Sequence, residues 1–212
     1  MRNTWAQKIY DEVMNASSLT DVENIFNGTK FISKTEMGAI LGEMIGGYNM
    51  NITDKLKIAL KSKKYKENMD CVSENDEPII ICLLKSFFNN VRNGNIPNKT
   101  MLKAFIFDKT ISYNWDVTNK QNETPFHVII NNANILNDLD FDHFFSEEII
   151  GKINPLNKNE CGKNIIQLFK EQNLIKNKNR KKKILNCFHN VVKSQTITIK
   201  SDCYKCCETE EL

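Results

Sequence analysis

Cys203 and Cys206 stand in a Cys-x-x-Cys spacing that can bring two thiolates to one zinc ion, and Cys207 follows at once. A tetrahedral site needs two more ligands, and the upstream candidates are Cys187 and His189. Those two lie two positions apart on a predicted helix, so their side chains diverge instead of meeting at one ion. No second Cys-x-x-Cys pair exists, and free thiols in a terminal tail are the simpler reading. Lipid attachment at Cys206 and Cys207 needs a second membrane signal, and the consensus terminal motif is lacking. The expectation is no cofactor, with zinc at Cys203, Cys206 and Cys207 as the alternative.

Two further features invite chemistry. His127 follows Thr124 and Pro125, but its segment holds no nucleophile for it to activate. His143, beside Phe144 and Phe145, reads as a surface or interhelix residue. The run Lys176-Asn177-Lys178-Asn179-Arg180-Lys181-Lys182-Lys183 has the composition of a nuclear import signal or a phosphate-binding patch. It lacks interleaved aromatics and sits in a chain of net charge +3, so a solvated interhelix loop is preferred and nucleic acid is not the expected partner. Gly-rich phosphate loops, paired metal-binding histidines and elbow serines are absent from the sequence, and the reading leans away from an enzyme.

The elements that must position these residues are helical. A chain of 212 residues, 41% hydrophobic and 26% charged, has the composition of a folded protein. Seven cysteines without disulfide-scaffold density point to a reducing, cytosol-like compartment, with the nucleus as an alternative. The first residues lack the apolar core of a signal peptide, and no run is long enough to span a bilayer. Frequent Asn, Lys and Ile fit an AT-rich genome.

Trp5, Ile9, Tyr10 and Val13 recur at helical spacing. Thr20 with Glu23, and Ser33 with Glu36, form capping-box patterns ahead of two further helices, closed by Gly28 and by Gly46-Gly47. Thr53 opens a fourth, which leads into a basic face at Lys61, Lys63, Lys64 and Lys66. A helix from Pro78 to about Phe88 and a loop from Asn89 to Pro97 precede a helix over 99–108. Later apolar stripes run through Phe141, Phe144, Ile149 and Ile150, and through Ile184, Leu185, Phe188 and Val192. Only Thr196-Ile197-Thr198-Ile199-Lys200 alternates as a strand does, so it reads as a lone strand or a hanging tail.

The stretch Asn119-Lys120-Gln121-Asn122-Glu123-Thr124-Pro125-Phe126-His127 runs from a polar turn through Thr-Pro into an apolar helix. Thr124 suits the cap and Pro125 the first helical position. Sliding it along the chain aligns Pro78 with Pro125, 47 residues apart, and Gly162 with Asn122, 40 apart. The stretch resembles the opening of an ankyrin repeat, with Asn119 and Asn122 in place of the usual Asp and Gly. What the resemblance implies is an all-α, ankyrin-like helical repeat solenoid. A helical amino-terminal region or cap would span 1–66, about three degenerate, loop-lengthened repeats 67–194, and a Cys-containing tail 195–212.

Pro78, Asn122, Thr124, Pro125, His127 and Gly162 are then structural motif residues, with His127 tying the turn together. The family's usual work is protein binding on a concave surface, which places contacts at Ser73, Lys120, Gln121, Asn157 and Lys158, with Trp115 nearby. Similar proteins occur among bacterial secreted effectors and viral host-modulating proteins, so the implied partner is a host protein. The alternatives are a zinc- or nucleic-acid-binding protein built on the cysteine tail and basic run, and an enzyme on a helical scaffold.

Overall fold

The computed structural model describes residues 4–28, 33–47, 50–62, 65–66, 71–172 and 178–207, with side chains through 195 apart from those of Thr4 and Met50. These form two compact units, Met1–Val128 and Ile129–Leu212. Among the described residues the secondary structure is helical, with two isolated antiparallel bridges, Val72 to Pro78 and Lys158 to Asn164, and no strand. No helix among them is long and apolar enough to cross a membrane.

The first unit is built from helix pairs. α1 (Thr4–Asn15) and α2 (Leu19–Gly28) form one pair, and α3 (Lys34–Gly46) and α4 (Thr53–Lys61) the next. α1 packs on α3 and α2 on α4, so the pairs stack in layers. α3 then packs on α5 (Ile79–Arg92), which pairs with α6 (Ile96–Ile106). The amino-terminal helices therefore continue directly into the layer that follows residue 70.

Local chemistry fixes the helix ends. The box expected at Thr20 and Glu23 forms two residues earlier: Ser18 Oγ accepts from the Asp21 amide at 3.1 Å, and Asp21 Oδ2 accepts from the Ser18 amide at 3.0 Å. Asp serves here in place of Glu because its shorter carboxylate still reaches the cap amide. The Ser33–Glu36 box is present as the spacing requires. α1 carries no basic residue in its last turn. Lys55 of α4 supplies the missing charge, donating to the carbonyls of Val13, Met14 and Ala16 at 3.0, 2.7 and 3.3 Å.

α3 is central to this unit and buries residues nearly all round, including Met37, Ile40, Leu41 and Met44. Two of its glycines are required by close approach. A β-carbon on Gly38 would stand 1.7 Å from the Val72 carbonyl oxygen, and one on Gly42 would stand 2.7 Å from Ser73 Cβ. The segment entering the Ser73 turn thus rests directly on the α3 backbone. The loop expected from Asn89 to Pro97 shrinks to three residues, because α5 runs on to Arg92 and α6 begins at Ile96, capped by Asn95.

α7 (Pro125–Asn132) crosses the boundary between the units. The second unit continues with α8 (Asp138–Phe144), α9 (Glu147–Ile150), α10 (Ile165–Glu171) and α11 (Lys178–Cys207). Its core is a chain of rings. Phe141 stacks on Phe145 at 4.2 Å, Phe145 meets Phe169 at 5.5 Å, and Phe169 meets Phe188 edge-on at 5.5 Å.

The strand or tail expected at Thr196 to Lys200 is instead part of α11. β-branched residues lower helix propensity by only a few tenths of a kcal/mol each, and a helix already propagating from Lys178 overrides that preference. The basic run also differs from the expected loop, since its described part, 178–183, is the start of α11. Cations at a helix amino terminus are unfavourable, and acidic partners offset this. Arg180 binds Asp138 at 2.9 Å and also Asp142, and its guanidinium lies 4.6 Å from the Phe141 ring centre.

Candidate functional site

Three turns share one hydrogen-bond pattern. The amides of Ser73, Asn119 and Asn159 donate to the carbonyls of Glu77, Glu123 and Lys163 at 2.9, 3.1 and 3.1 Å. The amides of Asp76, Asn122 and Gly162 donate back to the first residue of each turn at 2.9, 3.0 and 2.9 Å. Those same three residues have φ of 57°, 53° and 72°, the left-handed region that Gly, Asn and Asp tolerate best. Asn119 Oδ1 accepts from the Gln121 and Glu123 amides, and Asn159 Oδ1 accepts from those of Cys161 and Lys163.

This pattern sets the spacings at 46 and 40 residues. The structure therefore shifts the expected pairing of Pro78 with Pro125 by one position. Pro78 is the cap residue of α5, as Asn164 is of α10, whereas Pro125 is the first residue of α7. Thr124 is the counterpart of Pro78.

His127 is fully buried at the third position of α7. The Thr124 amide donates to its Nδ1 at 3.1 Å, Thr124 Oγ1 lies 2.8 Å from the same nitrogen, and Oγ1 accepts from the His127 amide at 3.4 Å. An amide donor at Nδ1 places the ring proton on Nε2. This is the reciprocal geometry of the Ser33–Glu36 and Asn164–Gln167 boxes, with imidazole as the acceptor. The arrangement holds a helix start and leaves Nδ1 unable to act as a base.

In the first unit the two turns are bolted together. Lys120 Nζ lies 2.6 Å from Asp76 Oδ2, and Asn119 Nδ2 donates to Glu77 Oε1 at 3.5 Å. Glu77 also takes Lys85, eight residues along, at 2.6 Å. The third turn repeats this latch with the charges exchanged, Lys163 meeting Glu171 at 2.5 Å.

Between α3, the Ser73–Glu77 turn and α5 lies an open groove of about 770 Å³. Its floor is the small-residue face of α3, Ala39, Gly42 and Gly46, and its far wall is Cys82, Lys85, Ser86 and Asn89 of α5. Ser86 Oγ donates to the Ile45 carbonyl at 3.5 Å and ties the walls together. Burial pushes the Cys82 thiol up to about 11, and the thiol points at the Glu77 carbonyl, 3.6 Å away. It is protonated at neutral pH and is not poised as a nucleophile.

No protein-family model, curated protein or solved structure matches this chain.

The residues expected at a binding surface divide by exposure. Lys120 and Gln121 are exposed at the second turn, and Lys158 is exposed with Asn157 half-buried in the second unit. Ser73 is only 8% exposed and its Oγ accepts from the Glu77 amide at 3.4 Å, so it forms part of the turn and the groove wall. Trp115, which reads from the sequence equally as a contact or as a packing residue, is 4% exposed and occupies a core position. Its large apolar area gains more from burial than from solvent.

α11 runs through Cys203, Cys206 and Cys207, but their side chains lie outside those described. Cys187 is half-buried, its thiol 3.9 Å from Glu147 Oε1, and His189 is exposed. Sequence reasoning missed the groove. The available signal was Gly38, Gly42 and Gly46 at four-residue intervals on one helix face, of which only Gly46 was used, as a helix terminator.

Proposed function

We propose that this protein is a protein-binding module whose contact surface is the groove of the first unit together with the adjoining turn tip at Lys120 and Gln121. The groove itself carries this reading. Its walls are fixed before any partner arrives: the turn rests on Gly38 and Gly42, and the Glu77–Lys85 and Ser86–Ile45 contacts hold α5 in place. A preformed surface has little ordering cost to offset on binding. Gly46, where a β-carbon would meet nothing within 4 Å, lets a partner approach the backbone closely.

The stacked helix pairs and recurring turns support the further proposal of a degenerate, ankyrin-like repeat array, in which exposed turns and first helices face the partner. A role in modulating a host protein belongs to the same proposal and rests on family resemblance.

The test is affinity capture on immobilised wild-type protein beside Gly46→Phe, whose ring would fill the groove. A β-carbon at Gly46 meets nothing within 4 Å, so the backbone there has room for a side chain, and circular dichroism checks that the variant keeps native helicity. The double variant Lys120→Ala, Gln121→Ala tests the adjoining turn tip in parallel. A partner held by the wild type and lost from Gly46→Phe is the expected result, and equal recovery on both contradicts it.

A further inference from the structure

We infer that the groove takes a cationic peptide segment, with a Lys or Arg side chain of the partner meeting Glu43; this rests on the protein-binding reading above. Three carboxylates line the groove, those of Glu43, Glu74 and Glu77, against one ammonium, that of Lys85. Lys85 is already engaged by Glu77. Arg92, about two turns further along α5, donates to Asn89 Oδ1 at 3.1 Å.

Glu43 is different. It is half-buried, and among the described residues its carboxylate has no ion-pair or hydrogen-bond partner. A carboxylate partly withdrawn from water gains from a cation brought to it, more than a fully solvated one does. The backbone adds to the same potential. Glu43 stands in the last turn of α3, a 13-residue helix with no basic residue there, so the negative end of the helix also faces the groove.

Shape and charge thus agree. Gly46, where a β-carbon would meet nothing within 4 Å, leaves the end of α3 open at the groove, while the fixed charges favour a positive side chain over it. Nucleic acid is disfavoured because its phosphates would meet the same carboxylates. A single charge contact of this kind is expected to change affinity by about tenfold.

The experiment pans a random-peptide display library on the full chain, then measures fluorescence anisotropy of the selected peptides with wild type, Glu43→Lys and Gly46→Phe, each checked for native helicity. Enrichment of Lys and Arg, with affinity reduced about tenfold or more by both substitutions, is the expected result. Peptides that lose binding to Gly46→Phe but lack cationic enrichment and ignore Glu43→Lys overturn the charge inference while leaving the groove as a binding site. Peptides indifferent to Gly46→Phe, or no selected peptides at all, overturn both.

Discussion

Gly38 lies so close to Val72 that a β-carbon placed on it would stand 1.7 Å from the Val72 carbonyl oxygen and 2.5 Å from the carbonyl carbon. The obstruction is backbone, which cannot rotate aside. Gly38→Ala should therefore separate α3 from the segment entering the Ser73 turn and destabilise the first unit by on the order of 3 kcal/mol. Gly46→Ala, eight residues along the same helix, meets open space and should be neutral or stabilising by a few tenths of a kcal/mol. Urea denaturation of the two variants checks this, and equal midpoints would contradict the packing described.

His127 is expected to behave as a capping residue. His127→Gln keeps an acceptor of the kind that Gln167 supplies at the same helical position of α10 and should cost about 1 kcal/mol. His127→Ala removes the acceptor, leaves the Thr124 amide buried and unpaired, and opens a cavity, so a loss of about 3 kcal/mol is expected. Thermal denaturation of both variants decides the point. Equal losses would show that ring volume alone matters.

How far the fold was legible depended on how local each signal was. Ser33–Glu36 and Thr124–Pro125 act through neighbouring backbone, and their helices begin where those residues require. Lys55 reaching three carbonyls of the α1 end, about 40 residues away, left no local mark. The same holds for the groove, whose walls come from segments far apart in the chain. Pro78 misled by type: proline suits both the cap and the first helical position, and only the turn hydrogen bonds fix which. Thr196 to Lys200 misled because alternation over five residues is weaker than a helix already under way.

Asp108 sets an acid limit on the first unit. The Thr110 hydroxyl donates to Oδ1 at 2.6 Å, and Lys61 of α4 lies 2.9 Å from Oδ2. These hold the carboxyl down to about 2, with the Thr110 bond the larger cause. The unfolded chain titrates near 3.9, so it takes up protons first as pH falls. The stabilisation is complete above about pH 4 and is lost as pH drops through about 2. With both side chains partly solvated it is worth on the order of 1 kcal/mol. Asp108→Asn should be less stable than wild type at neutral pH, and the gap should close toward pH 2. A gap independent of pH would contradict the ion pair and hydrogen bond as its source.

The exchanged latches make a sharper electrostatic test. Glu77 pairs with Lys85, and Lys163 pairs with Glu171, at matching positions of two turns. Reversing both members, Glu77→Lys with Lys85→Glu, should restore most of the stability lost by either single reversal. Exposed pairs of this kind contribute about 0.5 kcal/mol, so a double-mutant cycle at low salt is the measurement. Coupling that persists unchanged at high salt would argue against an ion pair.

The central claim is that partners bind in the groove between α3, the Ser73–Glu77 turn and α5. The most direct measurement is the amide spectrum of isotopically labelled protein titrated with a captured or selected ligand. Saturable shifts at Gly42, Glu43, Gly46, Ser86 and Asn89, absent in Gly46→Phe, are the result this account predicts. Saturable binding that leaves those amides unmoved, with the shifts falling elsewhere in the chain, would contradict it.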